Sequence, residues 1–126
     1  MRINHEPDIT VIADAADGEE ALEKFEKAEI DMVITDLNMP KIGGFKLIET
    51  LKQRKPEIPI IVFSASDDNT HITKAFHSGV SAYLTKTNSS EELIFALRHV
   101  AQGKKYLSSE LSLSIFEAHH LVNYSR

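Results

Sequence analysis

Asp36 closes the apolar run Met32-Val33-Ile34-Thr35 and is followed at once by Leu37-Asn38-Met39-Pro40, a stretch that cannot continue as strand. Two later runs end in the same manner, Ile60-Ile61-Val62-Phe63 in Ser64 and Ala82-Tyr83-Leu84-Thr85 in Lys86. In α/β proteins the carboxyl ends of neighbouring strands are where chemistry is placed. A carboxylate, a hydroxyl and an ammonium on adjacent strand ends point to phosphoryl chemistry.

The elements that must position these ends are apolar runs of four to six residues alternating with helical patterns, the signature of parallel βαβ units. The pattern predicts a first strand over Ile9 to Ala13. A helix follows, capped at Asp17, with Glu20 three residues on and Ala21, Leu22, Phe25 and Ala28 on its buried side. A second strand covers Met32 to Thr35. A helix from Gly44 to Arg54 buries Phe45, Ile48 and Leu51, and Pro56 and Pro59 separate it from the strand Ile60 to Phe63. Asn69 is the expected cap of the next helix, which buries Ile72, Ala75 and Phe76 and stops at Gly79. The strand Ala82 to Thr85 leads to the box Ser89-Ser90-Glu91-Glu92 and a helix with Leu93, Leu97 and Val100 on one face, closed by Gly103. After a short tether, a last helical stretch is expected from Ser108 to Leu121. Residues 1–103 thus form one unit, and 104–126 a linker and C-terminal helix.

Composition narrows the classes. The 126 residues, 42% hydrophobic and 26% charged, suit one globular domain with a real core. The apolar runs fall far short of the roughly 18 residues a membrane span needs, and the polar start Met1-Arg2-Ile3-Asn4-His5-Glu6 lacks the apolar centre of a signal peptide. A cytoplasmic location is the expectation. The absence of cysteine excludes disulfides and thiolate metal sites. A net charge of -5 argues against a nucleic-acid binder. The histidines at 5, 71, 77, 99, 119 and 120 show no ligand spacing with carboxylates and are read as surface or core-edge residues.

The stretch Asp36-Leu37-Asn38-Met39-Pro40-Lys41-Ile42-Gly43-Gly44 resembles the phosphoacceptor loop of response-regulator receiver domains. Ser64-Ala65 and Tyr83-Leu84-Thr85-Lys86, at separations of 28 and 22 residues between Asp36, Ser64 and Lys86, are similar to that family's other two signatures. The tail Gly103-Lys104-Lys105-Tyr106-Leu107-Ser108 resembles the receiver-to-linker junction of the NarL/FixJ subfamily, which carries a LuxR-type helix-turn-helix. The resemblance implies a CheY-like (flavodoxin-like) doubly wound parallel sheet. It also implies a switch rather than a turnover enzyme, in which Asp36 takes a phosphoryl group from a sensor histidine kinase. Lys86 would pair with one phosphoryl oxygen and Ser64 would donate its hydroxyl to another. Tyr83 would be the aromatic that swings inward, and Asp36 with the backbone carbonyl of Asn38 would ligate Mg²⁺.

The resemblance begins just before the family's second strand. Its first strand and most of its first helix have no counterpart, and neither has the acidic pair that holds Mg²⁺. Asp14 and Asp17 are not substitutes: Asp17 reads as a helix cap and Asp14 as the polar exit of a strand. Mg²⁺ prefers six oxygen ligands, so Asp36 and one carbonyl would hold it weakly. The absent strand is the central one in this family, and losing the apolar side chains of such a strand rivals a domain's whole stability. The expectation is therefore a rearranged or strand-exchanged homodimer. The 23 residues after Gly103 are too few for a LuxR-type helix-turn-helix, so DNA binding is not expected of this chain itself.

Two other functions were open at this level. A phosphorylation-independent pseudo-receiver would act only by pairing with another protein. A haloacid-dehalogenase-type phosphatase also sets Asp, Ser/Thr and Lys on successive strand ends, but its second acid, two residues after the nucleophile, is Asn38 here.

Overall fold

Among the described residues, three of four helices begin where a short polar side chain takes up an amide that has no partner within the helix. A computed structural model describes residues 6–38, 41–87, 89–108 and 111. Asp17 caps α1 (Gly18–Lys27), accepting the Glu20 amide at 2.9 Å, and Glu20 reaches back to the Ala16 amide. Ser89 caps α4 (Ser90–Ala101) through the Glu92 amide at 3.1 Å. The cap of α3 (Asn69–His77) is Asp68, not Asn69. The backbone is still extended at Asp68, so its carboxylate, one residue earlier than expected, sits over the Thr70 amide at 2.7 Å. Between them α2 (Gly44–Arg54) starts from Gly43 without a side-chain cap.

Four parallel strands form one sheet in the order β1 (Val33–Thr35), β2 (Ile60–Ser64), β3 (Ala82–Thr85) and β4 (Tyr106–Leu107). The register sets Thr35 beside Val62 and Ser64 beside Thr85, which brings the carboxyl ends of β1, β2 and β3 together. β1 is one residue shorter than the apolar run. It is tied in at its start by the Val33 amide, which donates to the Pro59 carbonyl at 3.0 Å. β4 lies within the expected tether, where two residues add to the far edge because the Tyr106 amide finds the Ser81 carbonyl at 2.9 Å.

The expected strand from Ile9 to Ala13 does not form a ladder. Its apolar pattern is real, but a strand also needs a neighbour for its amides and carbonyls. Among the described residues no strand pairs with the outer edge of β1. Val11 and Ile12 are left 38% and 59% exposed, and Ile34 in β1 is 38% exposed. Glu6 and Asp8, just before this stretch, are held instead by Arg98 of α4, at 2.8 and 2.9 Å.

Two hydrophobic clusters lie on the two faces of the sheet. One packs α1, α2 and α3 over Ile60, Val62 and Tyr83, with Leu47, Ile48, Leu51 and Ile72 almost wholly buried. The other packs Leu93, Ile94, Leu97 and Val100 of α4 over Ile61, Ala82 and Leu84. Both faces of the inner strands are buried, as in other parallel sheets. Of the expected last helix, Leu111 is buried in the first cluster, and the rest from residue 109 onward lies outside the described residues. No helix among the described residues is long and apolar enough to cross a membrane.

Candidate functional site

The residue after β1, the last residue of β2 and the residue after β3 are Asp36, Ser64 and Lys86, and the sheet brings all three together. Asp36 Oδ2 lies 2.5 Å from Lys86 Nζ, and its Oδ1 accepts the Asn38 amide at 3.1 Å. The Lys86 amide donates to the Ser64 carbonyl at 2.9 Å, so the end of β2 fixes the backbone from which Lys86 reaches out. Burial pushes the Asp36 carboxyl up. The hydrogen bonds from Lys86 and the Asn38 amide, the charge of Lys86 and the Ser64 hydroxyl outweigh it and hold the carboxyl below its ordinary value of 3.8. Asp36 is therefore an anion at neutral pH, the form a carboxylate nucleophile requires.

Ser64 is fully buried, and its hydroxyl interacts with both Asp36 and Tyr83. Tyr83 is also fully buried, its ring in the cluster under α2 and α3, and its hydroxyl donates to the Ser66 carbonyl at 2.8 Å. Burial raises the Tyr83 phenol, which stays a neutral donor at neutral pH. The aromatic thus lies inside, beside the strand ends.

The loop after Asp36 returns tightly on the strand. The Gly44 amide donates to the Leu37 carbonyl at 3.0 Å, and a Cβ on Gly44 would stand 2.4 Å from Leu37 Cα and 2.5 Å from the Asp36 carbonyl oxygen. No side chain fits there. Gly43, by contrast, meets nothing within 4 Å, so the second glycine of the pair is the one required. Lys41 adopts a left-handed backbone with φ of 67°, and its ammonium lies 3.4 Å from the Asp17 carboxylate and 3.7 Å from that of Glu19. This ties the loop to the start of α1. Met39 and Pro40 lie outside the described residues.

Asp17 is the helix cap it was read to be, and the Asp14 carbonyl accepts from Lys24. Among the described residues no group of three or more carboxylate or imidazole side chains converges as a metal cluster. Both Asp36 oxygens are already engaged, one by an ammonium. Asp36 with the Asn38 carbonyl is thus a poor donor set for an ion that seeks six oxygens.

Sequence reasoning missed two participants. Ser66 follows Ser64-Ala65 but no spacing singled it out, and its amide donates to Ser64 Oγ at 3.2 Å. His71 was read as a surface or core-edge residue. It is exposed, yet its Nδ1 lies 2.7 Å from Ser66 Oγ.

The family model described as "Response regulator receiver domain" matches residues 2–98. The transcriptional regulatory protein DegU of Brevibacillus brevis is 38% identical over 119 residues, covering 94% of this chain and 50% of that protein. The nitrate/nitrite response regulator protein NarL of Escherichia coli K12 is 34% identical over 110 residues, covering 87% of this chain and 51% of that protein. The chain therefore spans about half the length of these relatives. A crystal structure of a LuxR-family two-component response regulator from Aurantimonas sp. SI85-9A1 superposes with a TM-score of 0.87 at 29% identity. It covers 92% of this chain and 83% of that one.

Proposed function

Because the chain belongs to the response regulator receiver domain family, we propose that it is a two-component signalling switch. In this reading Asp36 accepts a phosphoryl group from the phosphohistidine of a sensor histidine kinase. The P–N bond of the donor breaks as a carboxylate oxygen of Asp36 forms the new P–O bond. Lys86 moves its charge from the free carboxylate to a phosphoryl oxygen, and the Ser64 hydroxyl donates to another. The observation that carries the reading is the contact of Asp36 with Lys86 at 2.5 Å, with the buried Ser64 hydroxyl beside it on the middle strand end.

The family's phosphoryl chemistry uses Mg²⁺, and Asp36 with the Asn38 carbonyl are the ligands we assign to it here, weakly held for the reason given above. The response passes from Ser64 and Tyr83 into β3 and the neighbouring helices, and the site acts as a switch rather than a turnover catalyst. Residues 1–103 are the receiver, and 104–126 lead toward an output. By analogy with DegU, named a transcriptional regulatory protein, that output is control of transcription in the cytoplasm. We also assign a homodimer with exchanged strands. It is supported by exposed Val11, Ile12 and Ile34 and by the outer edge of β1, with which no strand pairs among the described residues.

Beryllofluoride with Mg²⁺, which mimics an acyl phosphate, tests the central claim. The expected result is a rise in melting temperature and a change in tyrosine spectrum that disappear in Asp36→Asn. Equal responses from wild type and variant, or none from either, would overturn the phosphoacceptor role and leave an interaction module.

A further inference from the structure

The loop of residues 65–68 between β2 and α3 is held by a single residue that contacts three parts of the site. The Ser66 amide donates to Ser64 Oγ at 3.2 Å, its carbonyl accepts the Tyr83 hydroxyl at 2.8 Å, and its own Oγ lies 2.7 Å from His71 Nδ1. The Asp68 amide also donates to that Oγ, at 3.4 Å, and the hydroxyl keeps both its proton and a second lone pair for the imidazole, so the tautomer of the ring sets which of the two donates. The exposed ring of His71 has a second contact. It meets the edge of Phe45 with centroids 6.2 Å apart and planes at 62°, and Lys74 Nζ caps the Phe45 ring at 4.3 Å. Phe45 is the second residue of α2, directly after the Gly44 that presses on Asp36 and Leu37.

We propose that His71 is a positioning residue that clasps the β2–α3 loop to the start of α2 and so favours the arrangement in which Tyr83 lies inside. Its Nδ1 fixes the Ser66 side chain and, through it, the carbonyl that receives the Tyr83 hydroxyl. Its ring fixes that assembly against Phe45, on the element that follows the acceptor loop. His71 touches neither Asp36 nor the place of a phosphoryl group, so its effect is on the geometry of Ser64 and Tyr83 rather than on bond making. The clasp itself stands on the geometry of the free protein, and only its consequence for signalling rests on the phosphoacceptor reading.

Three substitutions separate the two arms of the clasp. His71→Asn keeps a hydrogen-bonding group near the place of Nδ1 and loses the ring; His71→Phe keeps the ring and loses that group; Ser66→Ala removes the hydroxyl and keeps the carbonyl. In the free protein, the ring resonances of Tyr83 and the hydrogen exchange of the Ser66 amide report the loop without any phosphoryl group. His71→Phe and Ser66→Ala are expected to move the Tyr83 resonances and speed exchange about 3- to 10-fold, the size of one net hydrogen bond. The double variant should do no more than either single one, and His71→Asn should recover most of the loss. With beryllofluoride and Mg²⁺, apparent affinity should fall by a similar factor in His71→Phe and return in His71→Asn. Tyr83 resonances and exchange unchanged in both His71→Phe and Ser66→Ala, each folded by its thermal melt, would overturn the clasp. A loop that responds in a protein blind to beryllofluoride would retain the clasp and reject the phosphoacceptor reading.

Discussion

One face of the sheet lies under three helices and the other, among the described residues, under α4. Under α1, α2 and α3 the side chains of Leu47, Ile48, Leu51, Ile72 and Tyr83 are at most 1% exposed. On the α4 side the centre is as dry, at Ile61, Ala82 and Leu84, but the margin is not. Met32, Phe63 and Ile9 only border that cluster, and Ile34 projects from the edge strand. Phe95 is 57% exposed, stacked on His99 and meeting Tyr106 in a T-shaped contact. The difference teaches where the parts of this molecule draw their support. The acceptor end of the sheet is held by the complete face, through Gly44, Phe45 and Tyr83. Among the described residues no strand pairs with the outer edge of β1.

The largest expected effect sharpens the contrast directly. Ile48→Ala, in the complete face, should lower unfolding free energy by about 2–5 kcal/mol, whereas Ile34→Ala should cost less than about 1 kcal/mol because its side chain is already partly in water. Urea denaturation of both variants measures this, and equal losses would mean that the two faces are packed alike. The second effect concerns association. Ile12→Lys with Ile34→Lys should weaken a strand-exchanged dimer at least about tenfold, or ~1.4 kcal/mol, while leaving each chain folded. Sedimentation velocity reads the result, and a wild type that stays monomeric at tens of micromolar, about the range of modest homodimers, removes the dimer from the account.

The smallest effect lies at the acceptor end. Asp36 has a folded-state carboxyl held below its ordinary 3.8, so ionised Asp36 stabilises the fold above that pH. The contribution is lost as pH falls through the lowered folded value, where both states are protonated. Asp36→Asn should therefore be less stable than wild type at pH 7 by no more than about 1 kcal/mol, since Lys86 is half in solvent and its attraction is screened. The two stability curves should converge below the ordinary carboxylate range. A gap that persists at low pH would show that packing, not charge, accounts for the difference.

Much of the site was legible from local pattern. Asp36, Ser64 and Lys86 each follow an apolar run, and a run that ends in a polar residue before a turn marks a strand end whatever the strand's neighbours. The α2 and β3 boundaries and the Asp17 and Ser89 caps were readable because each depends on a few adjacent residues. The cap of α3 moved by one residue because Asp68 and Asn69 are both competent, and the backbone angle at Asp68 chose between them. His71 and Ser66 were invisible for a different reason. Nothing in the spacing of two polar residues five apart says that one will also hold the carbonyl that receives Tyr83, 17 residues away.

The amino-acid order alone thus settled which chemical groups stand at the ends of the strands, because side-chain type and apolar run length are local properties. Whether Ile9 to Ala13 becomes a strand was settled by its surroundings. A ladder is a contract between two stretches of backbone distant in the chain, and among the described residues no second stretch lies in a ladder beside the outer edge of β1. The inward position of Tyr83 and the clasp at His71 are of the same kind. They depend on three loops meeting at one end of a sheet, which no single segment specifies.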